Sequence, residues 1–297
     1  MQTSDLETFV TVVEEMSFAG ASERLKISAS AVSKRINRLE AHLGVKLLQR
    51  TTRSLMLTEA GARYLAEARL SVVHASRAWD AATSLQSQPQ GTLRVHAPMS
   101  FGKLHLSHLM PEFLRRYPLI TLDLSLSDDT PDLLSRGLDV AFTARPVQAE
   151  SYIARKLLEL GSMVCASPAY CDERGKPVDP ADLATHNCLI YTHRHNKDAW
   201  CFAKGESNIE VPVSGTFRAD SGEVIRDAAL QGLGIARLPN FIADSDIAAG
   251  HLVEVLADYT MPSRPLYTIY PDRKLMPKKL QVFLDFAAEN LTIHHYA

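Results

Sequence analysis

The chain has 297 residues, 46% hydrophobic and 22% charged, with a formal net charge of -2. That length allows two or three domains, and that balance is ordinary for a soluble globular protein with a sizeable core. No run approaches the ~18 consecutive apolar residues of a membrane span. The start, MQTSDLETFV, lacks the basic and apolar regions of a signal peptide, so a cytoplasmic protein with no membrane partner is expected.

The near-neutral total hides a basic window. Between residues 24 and 53, eight cations (Arg24, Lys26, Lys34, Arg35, Arg38, Lys46, Arg50 and Arg53) stand against one acid, Glu40. Such a run is either a solvated face or a nucleic-acid footprint, and its placement on a helix and the loop after it favours the second.

In chain order, Leu6, Phe9, Val10 and Val13 form a first helical stripe, with Ser4 as its expected N-cap. Ser17 is placed to cap a second helix over 18–25 that buries Phe18, Ala21 and Leu25. After a short turn, Ser28 caps a third, whose apolar residues Val32, Ile36, Leu39 and Leu43 recur at helical spacing. Its other side carries Ala29, Ser30, Ser33, Lys34, Arg35 and Arg38. Two short helices, a turn and a cation-faced helix form the helix-turn-helix pattern, in which small residues allow close approach to base edges in the major groove. Gly44 ends the helix, and Leu47-Leu48 with Leu55–Leu57 suit a hairpin. Its tip, Arg50, Thr51, Thr52 and Arg53, reads as a wing for phosphates or the minor groove.

The stretch LETFVTVVEEMSFAGASERLKISASAVSKRINRLEAHLGVKLLQRTTRSLMLTEAG resembles the winged helix-turn-helix of LysR-type transcriptional regulators over nearly every position from Leu6 to Gly61. The resemblance implies a homo-oligomeric, ligand-responsive regulator of double-stranded promoter DNA that works with RNA polymerase and is not an enzyme. It places the DNA-binding domain at 1–58 and a linker helix at 59–88. Family members often carry Gln or Thr where this chain has Ala29, so base choice leans here on Ser33, Lys34 and the wing.

From Thr58 to about Ser87 the chain has no proline. Leu65, Val72 and Trp79 recur every seven residues, and so do Ala68, Ala75 and Ala82, three places later. The pattern alone fits a core helix or a coiled coil of about three heptads; the resemblance favours dimerisation. QSQPQG, at 86–91, reads as a hinge.

Beyond it, strand and helix patterns alternate: TLRVHAP, SFGKLHLSHLMPEFLRRYP, ITLDLSLSD, the short helix TPDLLSRG, LDVAFTA, SMVCASPAY, DSGEVIRDAALQGLGIARLP, PLYTIYP and KKLQVFLDFAAENL. That alternation predicts an α/β fold with mostly parallel strands. GTLRVHAPMSFG, RGLDVAFTA, VCASPAY and AALQGLGIARLP resemble the LysR-type effector domain. This implies, over 89–297, two α/β lobes like type 2 periplasmic binding proteins: lobe one over 91–163 and 265–297, lobe two over 164–264, with the effector between them.

Ser100 and Phe101 open a helix after the first strand, where free N–H groups suit a polar or anionic ligand, although Ser100 also suits a simple cap. Ser127, Thr143 and Arg145 are placed to line the same wall, and Cys165 or Ala166, Thr192, Asp220 and Ser221 to face it from lobe two. Many relatives have Arg where Thr143 stands and Asn where Asp220 stands. A lost cation and a gained anion favour an amine or polyhydroxyl effector over a carboxylate.

Cys165, Cys171, Cys188 and Cys201 form no CxxC pair and read as free thiols. No cofactor is implied, and the spacing of His186, His193 and His195 to these cysteines matches no zinc pattern, so no metal is expected. Two rival classes are weighed: an enzyme using Cys188 with His186 or His193, and a solute-binding protein. Neither accounts for the amino-terminal module.

Overall fold

The computed structural model describes residues 3–50, 55–83, 88–130, 132–145, 152–192, 198–205, 207–271 and 276–291. Among them no helix is long and apolar enough to cross a membrane.

The amino-terminal unit runs α1 (Thr3–Glu14), α2 (Phe18–Leu25), α3 (Ala29–Leu43), β1 (Leu48–Arg50), β2 (Leu55–Leu57) and α4 (Glu59–Thr83). Ser17 accepts a hydrogen bond from the N–H of Gly20 at 3.2 Å, and Ser28 accepts one from Ala31 at 3.2 Å. Each satisfies an otherwise orphaned donor of a helix's first turn. Ser4, the expected cap of α1, instead lies inside it, because the helix begins at Thr3. Phe9, Val32, Ile36, Leu39, Leu47 and Ala68 close one apolar core.

One carboxylate holds this unit together. Glu40 is buried in α3 and accepts hydrogen bonds from Lys46 Nζ at 2.6 Å, Leu47 N at 2.9 Å and Leu48 N at 3.2 Å. Burial pushes its carboxyl up, but these three donors outweigh burial and leave it below its ordinary value. The recognition helix and the hairpin β1–β2 are thereby tied edge to edge. The hairpin in turn seats α4. A Cβ on Gly61 would stand 2.0 Å from the Leu47 carbonyl oxygen, so only glycine lets α4 start this close to β1.

The carboxy-terminal part holds two five-stranded sheets. The first has the order β4-β3-β5-β14-β6, from β3 (Gly91–Ala97), β4 (Ile120–Leu126), β5 (Val140–Thr143), β6 (Tyr152–Leu160) and β14 (Arg264–Pro271). The second has the order β11-β8-β12-β7-β13, from β7 (Ser162–Ala166), β8 (Cys188–Tyr191), β11 (Arg218–Ala219), β12 (Ile235–Pro239) and β13 (Val253–Val255). A hairpin of β9 (Ala199–Lys204) and β10 (Ser207–Pro212) lies beside the second sheet.

Both sheets are mixed rather than mostly parallel. β3 pairs in parallel with β4 and β5, but β14 returns antiparallel to β5 and β6, and β12 runs antiparallel to β7. The cause is topological: the chain leaves lobe one at Gly161 and re-enters at Arg264, and strands that cross between lobes come back against their neighbours.

Helices cover these sheets. After β3 the chain coils as α5 (Met99–Phe101), passes through a π turn over Gly102–Leu106 and continues as α6 (Ser107–Arg116). With α10 (Lys278–Asn290) it packs Phe113 against Phe283 and Phe286, at ring separations of 5.3 Å. Lobe two carries α7 (Pro168–Arg174), α8 (Gly222–Leu230) and α9 (Asn240–Ala248). TPDLLSRG is a turn rather than a helix, because Asp132 binds the N–H groups of Leu134 and Ser135 and Gly137 turns the chain at φ 64°. At Gly137 a Cβ would come within 2.5 Å of Val73 on α4, so this turn is where the linker helix rests on lobe one.

The Glu40 network generates a test. Glu40→Gln is expected to cost the amino-terminal unit about 1.5–3 kcal/mol at pH 7. A carboxyl held below its ordinary value stabilises the fold above the unfolded-state pKa and loses that contribution as pH falls through the folded value. Urea unfolding of wild type and variant should therefore diverge at neutral pH and converge in acid.

Candidate nucleic-acid interface and interlobe cleft

On α3, Ala29, Ser30 and Lys34 are exposed and Ser33 is half-buried. The two following cations are tied to α1, although Arg38 stays exposed and Arg35 is half-buried. Arg38 donates through Nε to Asp5 Oδ2 at 2.9 Å and forms an ion pair with the same carboxylate, which is buried in α1. Arg35 reaches Thr8 Oγ1 at 3.3 Å. These two arginines therefore brace α3 against α1, and Lys34 is the expected DNA-facing cation that no such contact to α1 engages. Arg50 ends β1 opposite Leu55, and Thr52 and Arg53 lie outside the described residues.

On α4 the apolar stripe is divided. Ala68 is buried, and Leu65 and Val72 pack with it into the helix-turn-helix core of their own chain, whereas Ala75 is exposed. The side chains of Trp79 and Ala82 lie outside the described residues.

Between the lobes lies a cavity of about 140 Å³. Five expected residues, Ser100, Phe101, Ser127, Thr143 and Arg145, do line it. Four others do not. Cys165 points into the lobe-two core at 0% exposure, and Thr192 is used at the sheet edge, bound to the Ala219 carbonyl. Ser221 is the N-cap of α8, and Asp220 is exposed beside it. The residues that sequence reasoning missed are His96, Asp128, Tyr191, Arg237, Phe241 and Arg264.

The lobes meet through two polar bridges. Ser100 donates to Glu223 Oε2 at 2.6 Å, and Ser221 reaches the same oxygen at 3.2 Å, with Lys103 Nζ 3.8 Å from the other oxygen. Tyr191 donates to Asp128 Oδ2 at 3.1 Å, while the other oxygen accepts Met99 N at 3.1 Å. An aromatic cluster completes the seam, with Phe241 against Phe101 at 6.1 Å and against His105 at 5.1 Å.

Charge in the cavity is unevenly partnered. Arg145 is bound to the Asp128 carbonyl at 2.8 Å and to Thr130 at 3.3 Å. Arg237 is 8% exposed and its Nε has no hydrogen-bond partner. Burial and the neighbouring Arg264 charge pull Arg237 down to about 10. Burial, with Arg136 adding to it, also holds the His96 imidazole below its ordinary value. A cation standing alone in an apolar strand, as in GIARLP, was the available sequence signal for Arg237.

Two of the four thiols, Cys165 and Cys188, are buried. Burial pushes Cys165 and Cys188 up to about 12, far from thiolate chemistry at neutral pH. The Cys188 Sγ faces the Leu183 carbonyl at 3.8 Å, and His186 pairs through Nδ1 with the Tyr170 hydroxyl at 3.1 Å. His193 and His195 lie outside the described residues.

A winged helix joined through a long helix to a two-lobed α/β domain defines an effector-responsive, DNA-binding regulator. The family model of the bacterial regulatory helix-turn-helix protein, lysR family, matches residues 3–62, and that of the LysR substrate binding domain matches 86–292. The chain belongs to the LysR-type transcriptional regulators and is not an enzyme. It is 38% identical over 290 residues to the HTH-type transcriptional regulator CrgA of Neisseria meningitidis serogroup C (strain 8013), covering 97% of each chain. The solved structure of CrgA from Neisseria meningitidis superposes with a TM-score of 0.64 at 37% identity, covering 98% of this chain and 99% of that one. The full-length Vibrio cholerae virulence activator AphB superposes at 0.69 with 29% identity, covering 97% and 99%.

The divided cations of α3 make distinct predictions. Lys34→Ala should weaken duplex DNA binding and lower the slope of log affinity against log salt by roughly 0.9, with an unchanged melting temperature. Arg38→Ala should lower the melting temperature, because the buried Asp5 carboxylate loses its partner. Salt-titrated anisotropy and thermal melts separate the two.

Proposed function

We propose that the chain is a cytoplasmic homo-oligomer that binds pseudo-palindromic promoter DNA and changes its grip when a small molecule occupies the interlobe cleft, with RNA polymerase as the downstream partner. The observation that carries this reading is the pairing of two features in one chain: an open α3 surface at Ala29, Ser30 and Lys34, and a cavity lined by residues of both lobes.

The DNA half rests on geometry. A helix with small residues at its amino-terminal end enters the major groove, and the wing after β1 reaches the backbone. Two such modules, related by a two-fold axis, read half-sites about one helical turn or a multiple apart. Pairing is assigned to the second half of α4. The stripe residues Leu65, Ala68 and Val72 are spent inside the chain, whereas Ala75, on the same stripe, is open.

The sensing half is a population shift. An effector that binds one lobe arrangement better than another moves the equilibrium by that difference in affinity. The turn at Gly137, which holds Val73 of α4, gives lobe one a direct mechanical contact with the linker helix.

Ala75→Glu tests the assembly. A charge placed on the pairing face should convert the oligomer to a smaller species in light scattering. It should also weaken binding to a duplex selected from random DNA by about tenfold or more. An unchanged mass would move the interface elsewhere.

A further inference from the structure

Resting on the reading of the cleft as an effector site, we propose that its ligand is a small carboxylate with an apolar body, held by Arg237 and Arg264 where the chain crosses between the lobes. This reverses the amine or polyhydroxyl preference drawn from Thr143 and Asp220, because Asp220 lies outside the cavity and three guanidiniums, of Arg145, Arg237 and Arg264, line it with two carboxylates, of Asp128 and Asp129.

The case is one of unmatched charge. Arg237 sits on β12 between Ala236 and Leu238, both core residues, and is more than nine-tenths buried. Among the described residues, no carboxylate lies within ion-pair distance of Arg237 or of Arg264, and Arg237 Nε is an orphaned donor. A buried charge without a partner is costly, and two like charges facing one cavity add to that cost. The other charged groups of the cavity are already engaged. Asp128 accepts from Met99 N and Tyr191, Asp129 from Ser127, and Arg145 is bound to a carbonyl and a hydroxyl. What remains unpaired is positive.

Shape and lining narrow the class. A guanidinium presents a planar fork that matches a carboxylate. Phe101, Phe142 and Phe241 supply an apolar wall. At about 140 Å³ the cavity is well below the ~300 Å³ lower bound of ordinary ligand pockets, so the ligand is compact. Arg237 belongs to lobe two, whereas Arg264 opens the strand that returns to lobe one. One carboxylate between them neutralises the repulsion and draws the lobes together, which makes the occupied state the closed one.

The test uses the full-length protein with sodium benzoate and sodium butanoate, and with their neutral isosteres benzamide and butanamide, against sodium chloride at equal ionic strength. Both carboxylates are predicted to raise the melting temperature and both amides to leave it unchanged. Arg237→Met should remove the carboxylate shift and raise the melting temperature of the unliganded protein. Arg264→Gln, at an exposed position, should weaken carboxylate binding by about tenfold and keeps the test readable if the first variant folds poorly. No shift from either carboxylate, or a shift that survives both substitutions, overturns the proposal. Stabilisation by the amides as strong as by the acids also overturns it, while leaving the cleft as a sensor. DNA binding measured on the same preparations separates that failure from failure of the regulator reading, which predicts duplex binding whatever the additive.

Discussion

The two lobes are built on a chain that crosses between them twice, at Gly161 and again between Val255 and Arg264. The double crossing forces β14 to return antiparallel between β5 and β6, and it sets β12 against β7 with Pro239 opposite Ser162. Arg264 begins the returning strand, and Arg237 lies two residues before Pro239. The buried Arg237 guanidinium, whose Nε has no hydrogen-bond partner, therefore sits close to the crossing between the lobes. Away from the crossings, contacts across the cleft among the described residues include Glu223 with Ser100 and Lys103, Tyr191 with Asp128, and Phe241 with Phe101 and His105. Contacts of this kind across a seam make a closure that ligand binding can bias.

The DNA-binding unit is held in the opposite manner. Glu40, Thr58 and Gly61 lock recognition helix, wing and linker helix into one body. Thr58 donates to the Lys46 and Leu47 carbonyls while capping the Gly61 N–H at 2.9 Å. Val73 of α4 packs against the Gly137 turn of lobe one, so the linker helix touches the effector domain there. Arg35 and Arg38 tie α3 to Thr8 and Asp5 of α1, while Ala29, Ser30 and Lys34 stay exposed.

Much of this was legible in the residues. The helices of the amino-terminal unit follow from local spacing and from caps at Ser17 and Ser28, so short-range physics sufficed. Alternation also gave β3, β4, β5, β7, β12, β14 and the helices α6, α8 and α10, but not β6, β8, the β9–β10 hairpin, β11, β13 or α9. What escaped reading depends on long-range geometry. The antiparallel returns require knowing that the chain changes lobes. The π turn at 102–106 leaves no periodic signature. The ties of Arg35 and Arg38 to α1 depend on Thr8 and Asp5, about thirty residues away. At the cleft, Ser100, Ser127 and Thr143, which follow strand ends, line the cavity, whereas Asp220 stands outside it beside Ser221, which caps α8. Arg237 was passed over because it sits inside an apolar strand, where a lone cation looks like an interruption rather than a site.

The central claim is that the state of the interlobe seam governs how the winged modules hold DNA. The most direct measurement is a footprint, with affinity, on one duplex selected from random DNA, comparing the wild-type chain with Ser100→Ala, which removes the hydrogen bond from lobe one to Glu223. The account predicts a changed footprint length or affinity in the variant, with an unchanged melting temperature for the amino-terminal unit. Identical footprints and affinities across a salt series would contradict it, because the seam would then open without consequence at the DNA.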